Sequence, residues 1–300
     1  MRGLREILQN CRYMQYLAAM SAAMAAICSF MIGSWGSPSI PKLTSADSPL
    51  GVALNSEEVS WVASSHLLGY TVGSLVSPIP LKMIGPKWSL LITSLPLAGC
   101  WFGIAFSKSP IGLILLRFLS GVCDGVILTV LPLYIGEVAD KDIRGKLISF
   151  SPIFAGLGNF IVLAVGPFVE YKTLTFICAA VPIIFGSVFV FLPESPYFLL
   201  KTGRTEESKC SLRTLSGSSV DEPTIDERMN EIEATVRVHC EASQRCNVLY
   251  IFSKRHFRFA LFISLHLRLI NVFGGMSVIK PYLQTKLEQQ EAVFLPKFRV

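Results

Sequence analysis

Residues 117–146 read RFLSGVCDGVILTVLPLYIGEVADKDIRGK, an apolar run of membrane length closed by a compact charged turn. From Phe118 to Ile135 the lone carboxylate is Asp124, and such a run spans a bilayer as a helix because a helix satisfies its own backbone there. Gly121 and Gly125 lie four apart, share one face and leave a smooth groove for a second helix. Pro132 removes a backbone donor near the end of the run and predicts a kink or a loosened turn. Glu137, Asp140, Lys141, Asp142, Arg144 and Lys146 follow. Alternating acids and bases at a membrane surface can pair with each other and with a second helix, and so hold a gate shut. A solvated loop is the plainer alternative.

Composition agrees with a membrane class. The 300 residues are 51% hydrophobic and 16% charged, with a mean hydropathy of +0.52. Arg2, Arg5, Arg12, Lys82, Lys87, Lys141, Arg144, Lys146 and the bases between 201 and 258 fall on one side of the predicted spans, against Lys42, Lys108 and Lys172 on the other. That asymmetry predicts a cytoplasmic amino terminus, and it reads the net charge of +6 as topology rather than nucleic-acid binding. The first apolar run is too long for a removed signal peptide and is expected to remain as a membrane helix. Of the eight cysteines, Cys28, Cys100, Cys123 and Cys178 lie in apolar runs, and Cys11, Cys210, Cys240 and Cys246 in the cytoplasmic segments, so disulfides and zinc sites are not expected.

Arg117, Gly121, Gly125, Pro132, Tyr134, Glu137, Arg144 and Gly145 together resemble the signature of the sugar porter branch of the major facilitator superfamily. The resemblance implies a helical transporter of mono- or disaccharides, working by alternating access between two six-helix halves around a midplane site. GSWGSPSIPKL, at 33–43, resembles the end of helix one in insect trehalose and hexose transporters. Residues 13–35 contain no acid where proton-coupled members commonly carry one, which favours facilitated diffusion.

Along the chain, helix one is expected from about Tyr13 to Trp35, ended by Pro38 and Pro41. Helix two runs from about Val59 to Pro80 with Ser56 as its N-cap. His66 within it reads as hydrogen-bonded packing more than as a proton relay. PLKMIGPKWSLL, at 80–91, keeps Gly85 and Lys87 of the family's Asp-Arg-x-Gly-Arg-Lys turn but carries Lys82 and Pro86 at its acid and second arginine positions, so the cytoplasmic lock is expected to be weakened or rewired. Helices three (about 88–106) and four (about 110–135) are joined by SKS and must be antiparallel neighbours; helices five (about 147–168) and six (about 174–192) follow. Pro152 takes the place of a sugar-binding Gln of the family, and Asn159 projects from the same face, as a substitute amide or an interhelical bond. PESPYFLL, at 193–200, resembles the family's Pro-Glu-Ser-Pro motif and places Glu194 where it can pair with Arg144 or with a base from the family's second half; a helix stop with a solvated acid is the plainer alternative.

Between Lys201 and Lys254, Ile225, Met229, Ile232 and Val236 recur at helical spacing and predict an amphipathic surface helix. A seventh span is expected over about 257–279, with Asn271 and Ser277 near the family's polar positions. Arg268 sits deep within it, and Asp124 is a candidate partner. After Tyr282 the resemblance stops, and the chain ends where the family continues through five more helices.

The expected fold is thus an all-α membrane protein: a six-helix amino-terminal half over residues 1–200, a cytoplasmic helical loop over 201–254, and a seventh helix with a divergent tail over 255–300. The resemblance implies facilitated transport of trehalose or a hexose at the plasma membrane, with Asn159, Asn271 and Ser277 as substrate contacts and Glu137, Arg144, Glu194 and Lys87 as gate residues. Sugar and the lipid bilayer are its expected partners, with self-association or pairing with a full-length carrier; no cofactor, metal or nucleic acid is expected. The alternative is a non-transporting membrane protein that associates with or regulates full-length carriers. A channel has faint support, and no nucleotide loop, metal cluster or nucleophile arrangement argues for an enzyme.

Overall fold

The computed structural model describes residues 13–217, 222–245, 255–274 and 282–283, and these are helical throughout apart from short connections. In chain order the helices are α1 (Tyr13–Ser34), α2 (Gly36–Thr44), α3 (Ser56–Val76), α4 (Pro78–Phe106), α5 (Pro110–Val138), α6 (Arg144–Ile148), α7 (Phe150–Val165), α8 (Tyr171–Phe189), α9 (Pro196–Lys201), α10 (Thr205–Ser216), α11 (Glu222–Arg245) and α12 (Arg255–Phe273). Five stretches of the described residues are long and apolar enough to cross a membrane: α1 with α2, α4, α5, α6 with α7, and α8. The 21 residues of α3 are long enough too, but its serines, Glu57, Glu58 and His66 dilute its apolar character.

The long helices form a bundle with α1 and α5 at its centre. α5 packs against α3, α4 and α1; α1 packs in addition against α7 and α8; and α4 packs against α8. The small side chains of α1 explain its position: Ala18, Ala19, Ala22, Ala23, Ala25 and Ala26 are buried and let neighbouring backbones approach. α7 lies at the other extreme, burying Ala155, Gly158 and Val162 along one stripe while Ile153, Leu157 and Phe160 face outward.

The helix-four groove read from Gly121 and Gly125 is occupied by α3, and the fit is reciprocal. A Cβ on Gly121 would stand 2.2 Å from the His66 carbonyl oxygen, and one on Gly125 2.3 Å from that of Tyr70. From the other side, Cβ atoms on Gly69 and Gly73 would stand 2.0 and 2.1 Å from the carbonyl oxygens of Phe118 and Val122.

Several boundaries differ from the sequence reading. Pro38 and Pro41 do not end the first helix: it breaks at Trp35 and resumes as α2. Pro38 falls in the first turn of the new helix, where a missing N–H costs least. The N-cap of α3 is Asn55, not Ser56; its side chain accepts from the Glu58 N–H at 2.9 Å while the Glu58 carboxylate accepts from the Asn55 N–H at 3.0 Å, a complete capping box. The second helix gives way to the next at Ser77 rather than Pro80, and the third begins at Pro78. Gly85 then interrupts α4 with φ 86°, so its long second part starts at Pro86. The antiparallel pairing of α4 and α5 and the amphipathic α11 stand as read. Ile225, Met229 and Ile232 of α11 bury against Leu212, with Tyr197, Leu200 and Val236 packed around them, in a cluster separate from the bundle core. Of the expected seventh span, the structure describes α12 to Phe273; residues 275–281 lie outside the described part.

Alanine normally favours a helix over glycine by about 1 kcal/mol, but the α3–α5 seam reverses the sign. Gly121→Ala and Gly73→Ala are expected to lower the melting temperature of the chain in lipid or detergent, whereas Gly136→Ala, where a Cβ meets nothing within 4 Å, is expected to hold or raise it. Equal effects at the three positions would contradict this packing.

Candidate functional site

Two polar clusters stand out, one inside the bundle and one at the end that carries the signature turn. The inner one centres on Arg117, 2% exposed and two turns from the start of α5. Its guanidinium donates to the Ile32 carbonyl at 2.9 Å and lies 5.1 Å from the centre of the Trp35 ring. Both contacts follow from the break at Trp35. A helix end leaves carbonyls without an intrahelical donor, and Ile32 lies in that last turn of α1. Trp35 is held edge-on by Trp101 at 6.1 Å and Tyr171 at 5.6 Å, and its indole N–H donates to the Thr175 hydroxyl at 3.3 Å. Among the described residues no carboxylate lies within ion-pairing distance of Arg117, so a carbonyl, the negative end of a helix and an aromatic face balance the charge.

The second cluster joins the signature turn to the Pro-Glu-Ser-Pro segment. Tyr134, fully buried against Phe189, donates its hydroxyl to the Pro193 carbonyl at 2.9 Å. Glu194 accepts from the backbone N–H of Lys87 at 3.0 Å and of Ser195 at 2.9 Å. It thereby caps the second part of α4, where a carboxylate also complements the helix dipole. Gly85 makes room for this arrangement: its φ suits glycine, and a Cβ there would stand 2.6 Å from the Phe198 ring. Pro86 is the first residue of that helical segment, a position that needs no N–H. The departures seen in the sequence therefore build a different join, with Glu194 capping a helix rather than pairing with Arg144.

Ser195 donates its hydroxyl to Glu137 at 2.5 Å and accepts from the Phe198 N–H at 3.2 Å, which caps α9. Arg144 donates to the Ala139 carbonyl at 3.3 Å, and its Nε has no partner among the described residues. The Lys87 side chain lies over the Trp88 ring, 5.2 Å from its centre. The turn itself is tied to α11, through Lys141–Glu231 at 2.8 Å and Arg228–Asp140 at 3.2 Å, and to α1, through the Asp140 N–H and Gln15 at 3.0 Å. A cleft lies between them, lined by Glu137, Asp140, Arg144, Tyr197, Arg228 and Glu231 among others.

The structure brings Glu137, Glu194 and the Lys87 backbone into one network but does not assemble the three expected substrate contacts. Asn159 accepts from the Ser34 hydroxyl, the interhelical bond that was its second reading. Asn271 lies on α12, its side chain outside the described part, and Ser277 lies outside the described residues altogether. Asp124 bonds His66 at 2.9 Å rather than standing open for Arg268, whose side chain is also outside the described part. Sequence reasoning missed Trp35, Gln15 and Tyr171. Trp35 had a signal, as a tryptophan flanked by glycine and serine at a helix break; the other two had none.

Burial raises the Glu194 carboxyl above its ordinary value of 4.5, against the opposing bonds from Ser195 and Lys87. The folded chain then holds that proton more tightly than the unfolded chain, so this contribution is complete below pH 4.5 and is lost as the pH rises through the raised value. Glu194→Gln keeps an oxygen acceptor and removes the titration, so its melting temperature relative to wild type is expected to rise from pH 4 to pH 7. Glu194→Ala loses the cap and is expected to cost about 0.5–2 kcal/mol at either pH. Parallel pH profiles for wild type and the glutamine variant would contradict this account.

The profile described as "Sugar (and other) transporter" matches residues 14–291, so the match continues past Tyr282, where the resemblance read from the sequence ends. A facilitated trehalose transporter of Polypedilum vanderplanki is 28% identical over 270 residues, 89% of this chain and 52% of that protein. The facilitated trehalose transporter of Apis mellifera ligustica is 28% identical over 271 residues, with the same coverage. "Sugar transporter ERD6-like 6" of Arabidopsis thaliana is 29% identical over 238 residues, 79% and 48% of the two chains. The chain spans about half the length of the curated relatives it matches. In fold it is similar to the xylose transporter XylE from E. coli in a partially occluded inward-open conformation, with a TM-score of 0.72, 18% identity, and coverage of 89% of this chain and 66% of that one. The signature residues, the bundle they organise and these likenesses agree: the chain belongs to the sugar transporter family of the major facilitator superfamily and is no enzyme.

Proposed function

We propose that the chain contributes to facilitated diffusion of trehalose or a hexose across the plasma membrane, with its amino terminus in the cytoplasm. The network that joins Glu137, Ser195 and Glu194 to the start of the second part of α4 carries this reading. It links three helices, α4, α5 and α9, at one end of the bundle, and a gate in an alternating-access carrier requires such a set of bonds that can release together. Glu137, Arg144, Glu194 and Lys87 act there. Asn159, Asn271 and Ser277 remain the proposed substrate contacts; of these, the Asn159 amide nitrogen is the donor on α7 that Ser34 does not occupy. Arg117 supports diffusion without proton coupling, because its partners are a carbonyl and an aromatic ring rather than an acid on α1.

A second reading has its own support. The chain spans about half of its relatives' length, and α3 and α7 present outward apolar residues such as Leu68, Leu75, Ile153 and Phe160. Those faces suit association with a second copy or with a full-length carrier, which the chain then regulates rather than replaces.

Uptake of labelled trehalose and glucose into vesicles holding only this chain separates the two. Saturable uptake is expected. Glu137→Gln is expected to lower it about three- to tenfold, because a neutral acceptor loses roughly half of a charged hydrogen bond worth about 1.5–3 kcal/mol. No uptake by folded, inserted protein would overturn the carrier reading, and altered uptake when a full-length carrier shares the vesicle would establish the second.

A further inference from the structure

His66 and Asp124 belong neither to the Arg117 contacts nor to the network at the signature turn. His66 is 7% exposed on α3, Asp124 is 4% exposed on α5, and Nε2 of the ring stands 2.9 Å from Oδ2 of the carboxylate. Among the described residues this is the one side-chain hydrogen bond that crosses from α3 to α5. It lies within the closest-packed seam of the bundle, one helical turn from Gly69 and between the contacts of Gly121 and Gly125. At Gly69, Gly73, Gly121 and Gly125 the seam is backbone against glycine, and those positions offer no side chain to hold the register.

The second carboxylate oxygen, Asp124 Oδ1, is buried without a partner among the described residues. Among the described residues, the titratable groups in electrostatic contact with the pair are Cys28 from α1 and Cys123 and Arg117 from α5. Of these Arg117 carries charge. One added proton makes the bridge an ion pair, or fills the free oxygen of Asp124 and turns the carboxylate into an acid. Either form bonds differently across the seam, because a charge-assisted bond in a low-dielectric interior is stronger than a neutral one.

We infer that His66 and Asp124 form a proton-binding site that clasps α3 to α5, and that the grip of the seam depends on whether the site holds its proton. The inference stands apart from sugar transport and holds whether or not the chain carries sugar. It concerns register between two helices, not coupling of proton flow to a substrate.

The test uses the whole chain in lipid nanodiscs. In a chain whose other histidines, His239, His256 and His266, are replaced by glutamine, 15N resonances of the His66 ring are followed from about pH 8 to about pH 5, the span in which imidazoles ordinarily titrate. The resonances are expected to shift with pH, and Asp124→Asn is expected to move the midpoint. A ring that does not titrate, or a midpoint indifferent to Asp124→Asn, overturns the proposal. Thermal unfolding of His66→Gln, Asp124→Asn and the double variant supplies an independent reading. The two single losses of melting temperature are expected to exceed the loss in the double variant, and by more at pH 5.5 than at pH 8. Additive losses at both pH values overturn the clasp, and equal non-additivity at both overturns its dependence on the proton. The ring titration is read from the otherwise unaltered site, so it remains decisive if a variant at position 66 or 124 fails to fold.

Discussion

A guanidinium in the middle of an apolar bundle has no water to turn to, and the architecture around Arg117 answers that constraint. The charge needs acceptors the protein itself supplies. They come from the break of the first helix at Trp35, which exposes the Ile32 carbonyl and turns an indole face toward the cation. The break in turn requires Trp101, Tyr171 and Thr175 to hold the indole, and these residues come from α4 and α8. One charge on α5 thereby fixes how α1, α4 and α8 meet. The continuation after the break is fixed as well: α2 carries Lys42 to the end of α7, where its ammonium donates to the carbonyls of Gly166 and Val169. Gly166 leaves room for Pro38, which a Cβ would approach to 2.6 Å.

The opposite end is organised by a carboxylate rather than a cation. Glu194 spends one oxygen on two backbone donors, and the loss of the family's usual acid ahead of the second part of α4 is understandable from there. With Pro86 opening a helix that Glu194 caps, the join needs neither that acid nor the second arginine. The energy comes from satisfying backbone groups in a buried place, which is less sensitive to screening than an ion pair at a membrane surface. The exposed pairs, Lys141–Glu231 and Arg204–Glu207, contribute correspondingly little; the first helps hold α11 in register against the turn, and the second lies within the start of α10.

Much of this was legible in the sequence where one chemical pattern dominates locally. The apolar run with Gly121 and Gly125 announces a close helix contact, since small residues four apart have few other uses in a membrane. Ile225, Met229 and Ile232 announce a buried stripe by their spacing. Boundaries set by competition were not legible. Pro38 and Pro41 read as a stop because proline ends helices in water, yet here they fall in a second helical segment. Asn55 and Ser56 are both good caps, and the reciprocal bond with Glu58 decides for Asn55. The site was legible in its members more than in its geometry. Glu137 and Glu194 stand out by pattern, but that one bonds a serine and the other caps a helix depends on where α4 begins, which Gly85 settles through a backbone angle.

Uneven packing gives these parts different freedoms. The α3–α5 seam brings backbones together at Gly69, Gly73, Gly121 and Gly125, with the His66–Asp124 bond crossing it, so sliding one helix past the other drives carbonyl oxygens into glycine α-carbons; the two move as a unit. α7 rests on the bundle through Ala155, Gly158 and Val162, with the Ser34–Asn159 bond midway and the Lys42 clamp at one end. A helix held by a narrow stripe and a terminal clamp can tilt about the clamp while the seam stays closed. The polar side chain that ties α7 to α1 midway is Asn159, whose carbonyl oxygen accepts from the Ser34 hydroxyl. Tilting α7 costs that one hydrogen bond and the packing of a narrow stripe, whereas moving α3 against α5 costs backbone contact at four glycines, so the bundle yields first at α7.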